Sequence, residues 1–191
     1  MKPFRGTTGR VAVLDRADVD TDQIMPKQFL KRIERTGYGE FLFWDWRKDP
    51  DFELNRPEVA GAKVLVTGRN FGCGSSREHA AWGLQDYGFE AIVAPSFGDI
   101  FRQNALKIGL LPIQLPAGIV RELAEEEELT VDLETCRIRT PDGHEIPFQL
   151  DDFQRHCLLN GLDEIGLALE HQDDIAAYEA AHPAAIETTT L

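Results

Sequence analysis

The chain has 191 residues, 42% of them hydrophobic and 28% charged, and a formal net charge of −13. That length carries one well-buried domain rather than two full ones, and the acidic balance disfavours non-specific binding to nucleic acid or to an anionic membrane. No stretch approaches the roughly 20 apolar residues of a spanning helix and the first residues hold no signal-peptide run, so a soluble cytoplasmic protein is expected, with Cys73, Cys136 and Cys157 as reduced thiols.

Residues 11–14 read as a short buried strand, followed by an acidic loop over 15–22. Pro26 suits the first position of a helix, with Met25, Phe29 and Ile33 on one face and Lys27, Lys31, Arg32 and Arg35 crowding the rest. Gly37 and Gly39 interrupt it. Residues 41–46 form an aromatic patch that serves as core or as an interface, and a polar linker with Pro50 and Pro57 covers 47–60. A strand over 62–67 leads into a glycine-rich loop, 68–74, and then a helix over 76–87. A strand at 91–94, a helix at 97–108 stopped by Gly109, and an extended segment at 110–115 follow. The acidic run 125–128 closes a solvated helix face. Residues 129–133 and 137–139 pair as a hairpin, and the Pro141-Asp-Gly143 turn leads to a short strand at 146–150. Helices over 151–160 and 173–181 precede a tail, 186–191, that should fray. Interleaved strands and helices make one mixed α/β domain over 1–185.

The chemistry concentrates in Asn70-Phe-Gly-Cys-Gly-Ser-Ser-Arg-Glu-His79. It lies between a strand and a helix, where unpaired backbone N–H groups favour anions. Ser75 and Glu78 have capping-box spacing, and Gly72 and Gly74 allow tight turning and close approach of a ligand. Arg77 falls in the first helical turn, where a cation opposes the helix dipole; a guanidinium beside free N–H groups makes a clamp for carboxylate or phosphate. The loop matches neither the dinucleotide fingerprint nor the phosphate loop, and Ser75 is not in a nucleophile elbow. On spacing alone, a capped helix with an exposed arginine is an equal reading.

Four ordered blocks decide between them. Gly74-Ser-Ser-Arg-Glu-His-Ala-Ala81 is joined by Asp20-Thr-Asp-Gln-Ile-Met-Pro26, by Ala94-Pro-Ser-Phe-Gly-Asp-Ile-Phe101 running into Gly109-Leu-Leu-Pro112, and by Arg155-His-Cys-Leu-Leu-Asn-Gly-Leu-Asp-Glu-Ile-Gly166. Together they resemble the small subunits of 3-isopropylmalate dehydratase, in the longer bacterial form that carries Phe41-Leu-Phe-Trp-Asp-Trp-Arg47. The resemblance implies the swivelling β/β/α domain of the aconitase C-terminal region. It also implies a dehydration and rehydration that moves a hydroxyl to the neighbouring carbon of a malate-like acid in leucine biosynthesis.

By that resemblance Ser75 is the base, acting as an alkoxide, and Asp22 is an active-site carboxylate that orients its neighbours. Ser76 and Arg77 hold a substrate carboxylate, with Thr21 and Gly74 completing the binding loop. The Lewis acid is a [4Fe-4S] cluster bound by a separate large subunit and not by this chain, whose three cysteines lack C-x-x-C spacing. Related hydro-lyases acting on 2-methylmalate, dimethylmalate or homoaconitate share the mechanism, and a non-catalytic anion-binding module is a further alternative. A hydrolase built on Cys73 or Ser75 lacks a readable triad. Asp18, Asp20 and Asp22 do not make a calcium loop, because Gln23 replaces the required glycine and Phe29 the bidentate glutamate. His144, His156, His171 and His182 show no ligand spacing. The basic cluster Lys27, Lys31, Arg32 and Arg35 is either a solvated face or a contact for an anionic substrate or an acidic partner face.

Overall fold

The computed structural model of the chain describes residues 1–31 and 36–182. Its organising element is β1 (Gly6–Leu14), which is longer than the apolar run that announces it. Residues 11–14 pair in parallel with β2 (Val64–Thr67), and residues 6–10 pair antiparallel with β5 (Glu128–Asp132). One strand thus belongs to two ladders. From β2 the parallel half continues through β3 (Ala91–Ala94) to β4 (Leu111–Gln114). From β5 the antiparallel half continues through β6 (Arg137–Arg139) to β7 (Glu145–Pro147). The full order is β4-β3-β2-β1-β5-β6-β7.

Parallel strands need crossovers, and here they are α2 (Glu78–Tyr87) between β2 and β3 and α3 (Asp99–Ile108) between β3 and β4. Both helices end at a glycine in the left-handed region, Gly88 and Gly109, the usual way to satisfy terminal carbonyls. The parallel strands are buried on both faces, and alternate residues feed two cores. Ala12, Leu14, Leu65, Ile92 and Ala94 meet Ala80, Leu84, Phe101 and Ala105 of α2 and α3. Val64, Val66, Val93 and Ile113 meet α4 (Ala117–Leu123) and the apolar side of the antiparallel half, including Leu129, Val131 and Ile138. Three helices close the described chain: α5 (Asp152–Asn160), capped by Asp151, then α6 (Glu164–Leu169), capped by Asp163, and α7 (Gln172–Ala181).

Several expectations need correction. The helix expected from Pro26 is not there among the described residues: a four-residue helix, α1 (Thr21–Ile24), ends before the proline, and only a 3₁₀ turn, Lys27–Phe29, follows. Ile33, Arg32 and Arg35 of that expectation lie outside the described residues, as does the tail 186–191. The acidic loop ends in α1 because Asp20 and Gln23 form a reciprocal capping box: the Asp20 carboxylate accepts from Gln23 N at 2.8 Å, and Gln23 Oε1 accepts from Asp20 N at 2.9 Å. The expected linker over 47–60 is packed. Phe52 and Leu54 enter the core, and the Asn55 side chain donates to the Arg47 and Asp49 carbonyls. Arg16 lies 4.5 Å from the Trp46 ring centroid while pairing with Glu53 at 3.0 Å. The aromatic patch divides: Leu42 and Phe43 are fully buried, whereas Trp44 is exposed beside Phe29 and Phe41.

Leu65, fully buried at the centre of β2, should carry much of the first core. Leu65→Ala is expected to cost about 2–5 kcal/mol. A urea midpoint within error of wild type at unchanged slope would show that this core is not what holds the sheet.

Candidate active site

Three loops leave the carboxyl ends of β1, β2 and β3, the edge where open α/β sheets bind ligands. Hydrogen bonding continues past the strand ends and ties them together. The Gly72 N–H donates to Val19 O at 2.7 Å, and the Thr21 N–H donates to Cys73 O at 2.9 Å, with a parallel bridge between Asp20 and Cys73. On the other side, the Phe71 N–H donates to Ser96 O at 3.1 Å and the Gly98 N–H to Phe71 O at 2.9 Å. The glycine-rich loop is therefore the middle of a three-loop ladder. Gly72 has no substitute in it: its φ is +74°, and a Cβ there would lie 2.2 Å from Phe101 Cγ.

A second set of contacts fixes the rim. Asp18 accepts from Asn70 Nδ2 at 2.8 Å and pairs with Arg69 at 3.0 Å. Asp20 caps α1, and Asp22 pairs with Arg77. The three aspartates of the tempting calcium motif thus have separate partners. Sequence reasoning missed Asn70, Arg69 and Ser96 as loop clamps, since these contacts join residues far apart in the chain. The Asp20-x-x-Gln23 cap was available from spacing.

The serine loop itself differs from the sequence reading. No capping box forms at Ser75, and α2 begins only at Glu78, with Arg77 as its N-cap and no side-chain cap. The cause is local. Ser75 O accepts the Arg77 N–H at 2.8 Å, a tight turn that holds the intervening chain out of the helix. Thr21, 1% exposed, donates its Oγ1 hydrogen to the same carbonyl at 3.0 Å. Thr21 is thus turned onto the Ser75 backbone, and its contribution to the site runs through that carbonyl. Gly74 (φ +92°), Ser75 and Ser76 face solvent. Neither serine hydroxyl has a hydrogen-bond partner among the described residues. Arg77 is the counterpart: its side chain is 18% exposed, against 51% for Asp22. The loop brings together a fixed backbone, two open hydroxyls and one half-buried guanidinium, which suits a carboxylate ligand beside a proton-accepting oxygen.

The model of the aconitase C-terminal domain matches residues 1–118, and that of the C-terminal domain of 3-isopropylmalate dehydratase small subunits matches residues 164–185. A 3-isopropylmalate dehydratase small subunit of Rubrobacter xylanophilus is 54% identical over 189 residues, covering 96% of each chain. One from a Geobacillus species is 56% identical, covering 95% of this chain and 98% of its own. The chain belongs to the 3-isopropylmalate dehydratase small-subunit family. A crystal structure of 3-isopropylmalate dehydratase from Methanocaldococcus jannaschii, 27% identical, superposes with a TM-score of 0.67 over 90% of this chain and 98% of that one. The fold is accordingly the swivelling α/β domain of the aconitases.

Within this family member the remaining candidates fall into place. The Cys73 thiol is pushed up by burial and then by the charges of Asp20 and Asp18, which disfavours a thiolate. His79 makes no hydrogen bond to it among the described residues. Instead the His79 ring packs 4.5 Å from Trp82 and 5.2 Å from Tyr38. A hydrolase pair is not assembled. The three cysteines also do not suit a cluster. Cys73 is in the loop after β2, Cys136 is in the β5–β6 turn donating to Leu133 O at 3.5 Å, and Cys157 is in α5. Among the described residues no three His, Cys, Asp or Glu side chains converge as metal ligands. No described helix is long and apolar enough to cross a membrane.

Burial lowers the His79 pKa below its ordinary 6.5; Glu78 opposes the fall and Arg77 adds to it. The unfolded chain therefore takes up this proton first as pH falls. The His79 contribution to stability is full above about pH 6.5 and is lost as pH drops toward the folded pKa. Comparing urea midpoints at pH 7.5 and 5.5, His79→Gln should lose less on acidification than wild type. Equal losses would mean that His79 titrates as it does in the unfolded chain.

Proposed function

We propose that this chain is the small subunit of a cytoplasmic 3-isopropylmalate dehydratase, interconverting 2-isopropylmalate and 3-isopropylmalate through 2-isopropylmaleate in leucine biosynthesis. On this reading it acts only with a large subunit that binds the [4Fe-4S] cluster, and residues 1–185, where the last family match ends, form one domain. What carries the reading is the placement of Ser75, whose hydroxyl has no hydrogen-bond partner among the described residues, two residues from a half-buried guanidinium, Arg77, on a loop fixed from both sides.

The reaction poses two problems. Hydroxide is a poor leaving group and needs a Lewis acid, which this reading leaves to the partner's cluster. The proton to be removed lies on carbon and is weakly acidic, so it needs a strong base held at short range. Ser75, as the alkoxide, takes that proton and becomes the hydroxyl, and in the reverse direction the hydroxyl gives the proton back to carbon and the alkoxide is restored. Arg77 holds a substrate carboxylate through two parallel N–H···O contacts, with Ser76 donating a third and Gly74 allowing close approach. Asp22 holds the guanidinium in place until the substrate carboxylate arrives. Thr21 is a positioning residue, acting through the Ser75 carbonyl.

Ser75→Ala in the assembled enzyme should abolish hydration of 2-isopropylmaleate while leaving substrate affinity close to wild type. A parallel loss of affinity and turnover would remove Ser75 from the role of base. Arg77→Lys keeps the charge but loses the fork, so KM should rise by about 10-fold or more, in line with loss of a charge-assisted hydrogen bond worth roughly 1.5–3 kcal/mol. Turnover of methyl- or dimethyl-substituted maleates in place of the isopropyl compound would move the chain to a related hydro-lyase.

A further inference from the structure

Helix α6 is tied to the body of the chain at its start, through Asp163 to the N-terminal ammonium at 3.3 Å and Glu164 to Lys107 at 2.8 Å, and α7 follows it. Every residue from Ala168 to His182 is exposed, so all of α7 stands in solvent. A helix of ten residues is marginal by itself in water. Among its alanines and acids it nevertheless presents two large apolar side chains to solvent. Ile175 and Tyr178, three residues apart and hence on one face, are 43% and 65% exposed, and Ile165 and Leu169 of α6 are 72% and 60% exposed. Ile165 also lines the edge of a cleft of about 790 Å³ between α2–α3 and α5–α6, walled by Trp82, Asn104, Leu106 and Phe153. Phe153 is 60% exposed. Asn104 is 8% exposed, and its Nδ2 has no hydrogen-bond partner among the described residues. Helix α6 borders this cleft through Ile165, and α7 follows α6 directly in the chain.

The charge on this surface selects its occupant. From residue 163 to 182 the chain carries Asp163, Glu164, Glu170, Asp173, Asp174 and Glu179, and no lysine or arginine. Asp163 and Glu164 pair with the N-terminus and Lys107, but the other four carboxylates would face one another in an arm-to-arm contact with a second copy, and an anionic membrane or a nucleic acid would be repelled. A protein partner with an apolar groove and a basic rim fits.

We propose that α6–α7 is a docking arm, bordering the α2–α3/α5–α6 cleft, that binds a lysine- and arginine-rimmed apolar groove on the large subunit. The inference rests on the small-subunit reading above and adds where that contact is made. The arm closes on its partner through Ile165, Leu169, Ile175 and Tyr178, and the carboxylates steer the approach.

The test uses the full chain and the cluster-bearing large subunit, mixed anaerobically, with complex affinity and hydration of 2-isopropylmaleate both measured. The double variant Ile175→Asp with Tyr178→Asp should bind the large subunit at least about 30-fold more weakly, the range expected for loss of interface anchors. Its own thermal midpoint should not change, and its kcat should recover when the variant is in large excess. The variant Asp173→Asn with Asp174→Asn, at exposed sites, should bind more slowly and with a flatter dependence on salt. A double variant that assembles with wild-type affinity, or a wild-type arm that mediates self-association instead, overturns the proposal while leaving the dehydratase reading intact. A wild-type chain that forms no active complex at all would sink that parent reading and the arm with it.

Discussion

The fold depends on a single strand serving two ladders. β1 accepts β2 along one half of its length and β5 along the other, so among the described residues the parallel and antiparallel halves share no other direct strand pairing. That arrangement fixes which ends of the strands lie together. With β1, β2 and β3 parallel and adjacent, their three carboxyl-end loops emerge side by side. They are close enough for the ladder to continue into them as the Asp20–Cys73 and Phe71–Phe97 bridges. The site is thus the frayed but still hydrogen-bonded edge of the sheet, and its rigidity derives from strands buried on both faces.

Much of this was legible in the sequence, for reasons that can be stated. Residues 64–66 and 91–94 are continuous apolar runs because both faces are covered, and Gly109 marks a helix end. The first half of β1 was not legible. It is built of Gly6, Thr7, Thr8, Gly9 and Arg10, whose strand state comes from pairing with β5, down to the Thr8–Thr130 hydroxyl contact at 2.9 Å. The start of α2 was misread for a related reason. Ser75 and Glu78 have the right spacing for a cap, but Thr21, from a distant loop, and Arg77 both claim the Ser75 carbonyl. The candidate residues Ser75, Ser76, Arg77 and Asp22 were named from the sequence through the family resemblance. Residues that only hold loops together, Asn70 and Ser96, were not, since nothing in their local spacing records a long-range partner.

The pairing of Arg77 with Asp22 gives the site an internal tension. The guanidinium proposed to take a substrate carboxylate already holds one of the protein's own. With Asp22 about half exposed, the pair is of the kind typically worth about 0–1 kcal/mol, so a ligand that offers two well-placed oxygens displaces or shares it readily. The resident carboxylate orients the guanidinium without saturating it, a form of preorganisation that costs little to exchange.

The Ser75 carbonyl accepts two hydrogen bonds, one from Thr21 Oγ1 and one from the Arg77 N–H. Its backbone is thereby immobilised, and the remaining freedom of the residue is rotation about one bond, χ1, among three staggered wells. The aim of the hydroxyl is then a choice among discrete directions. Whatever completes the site selects a rotamer, and a misdirected hydroxyl is off by a whole well, which no small adjustment of the loop can correct.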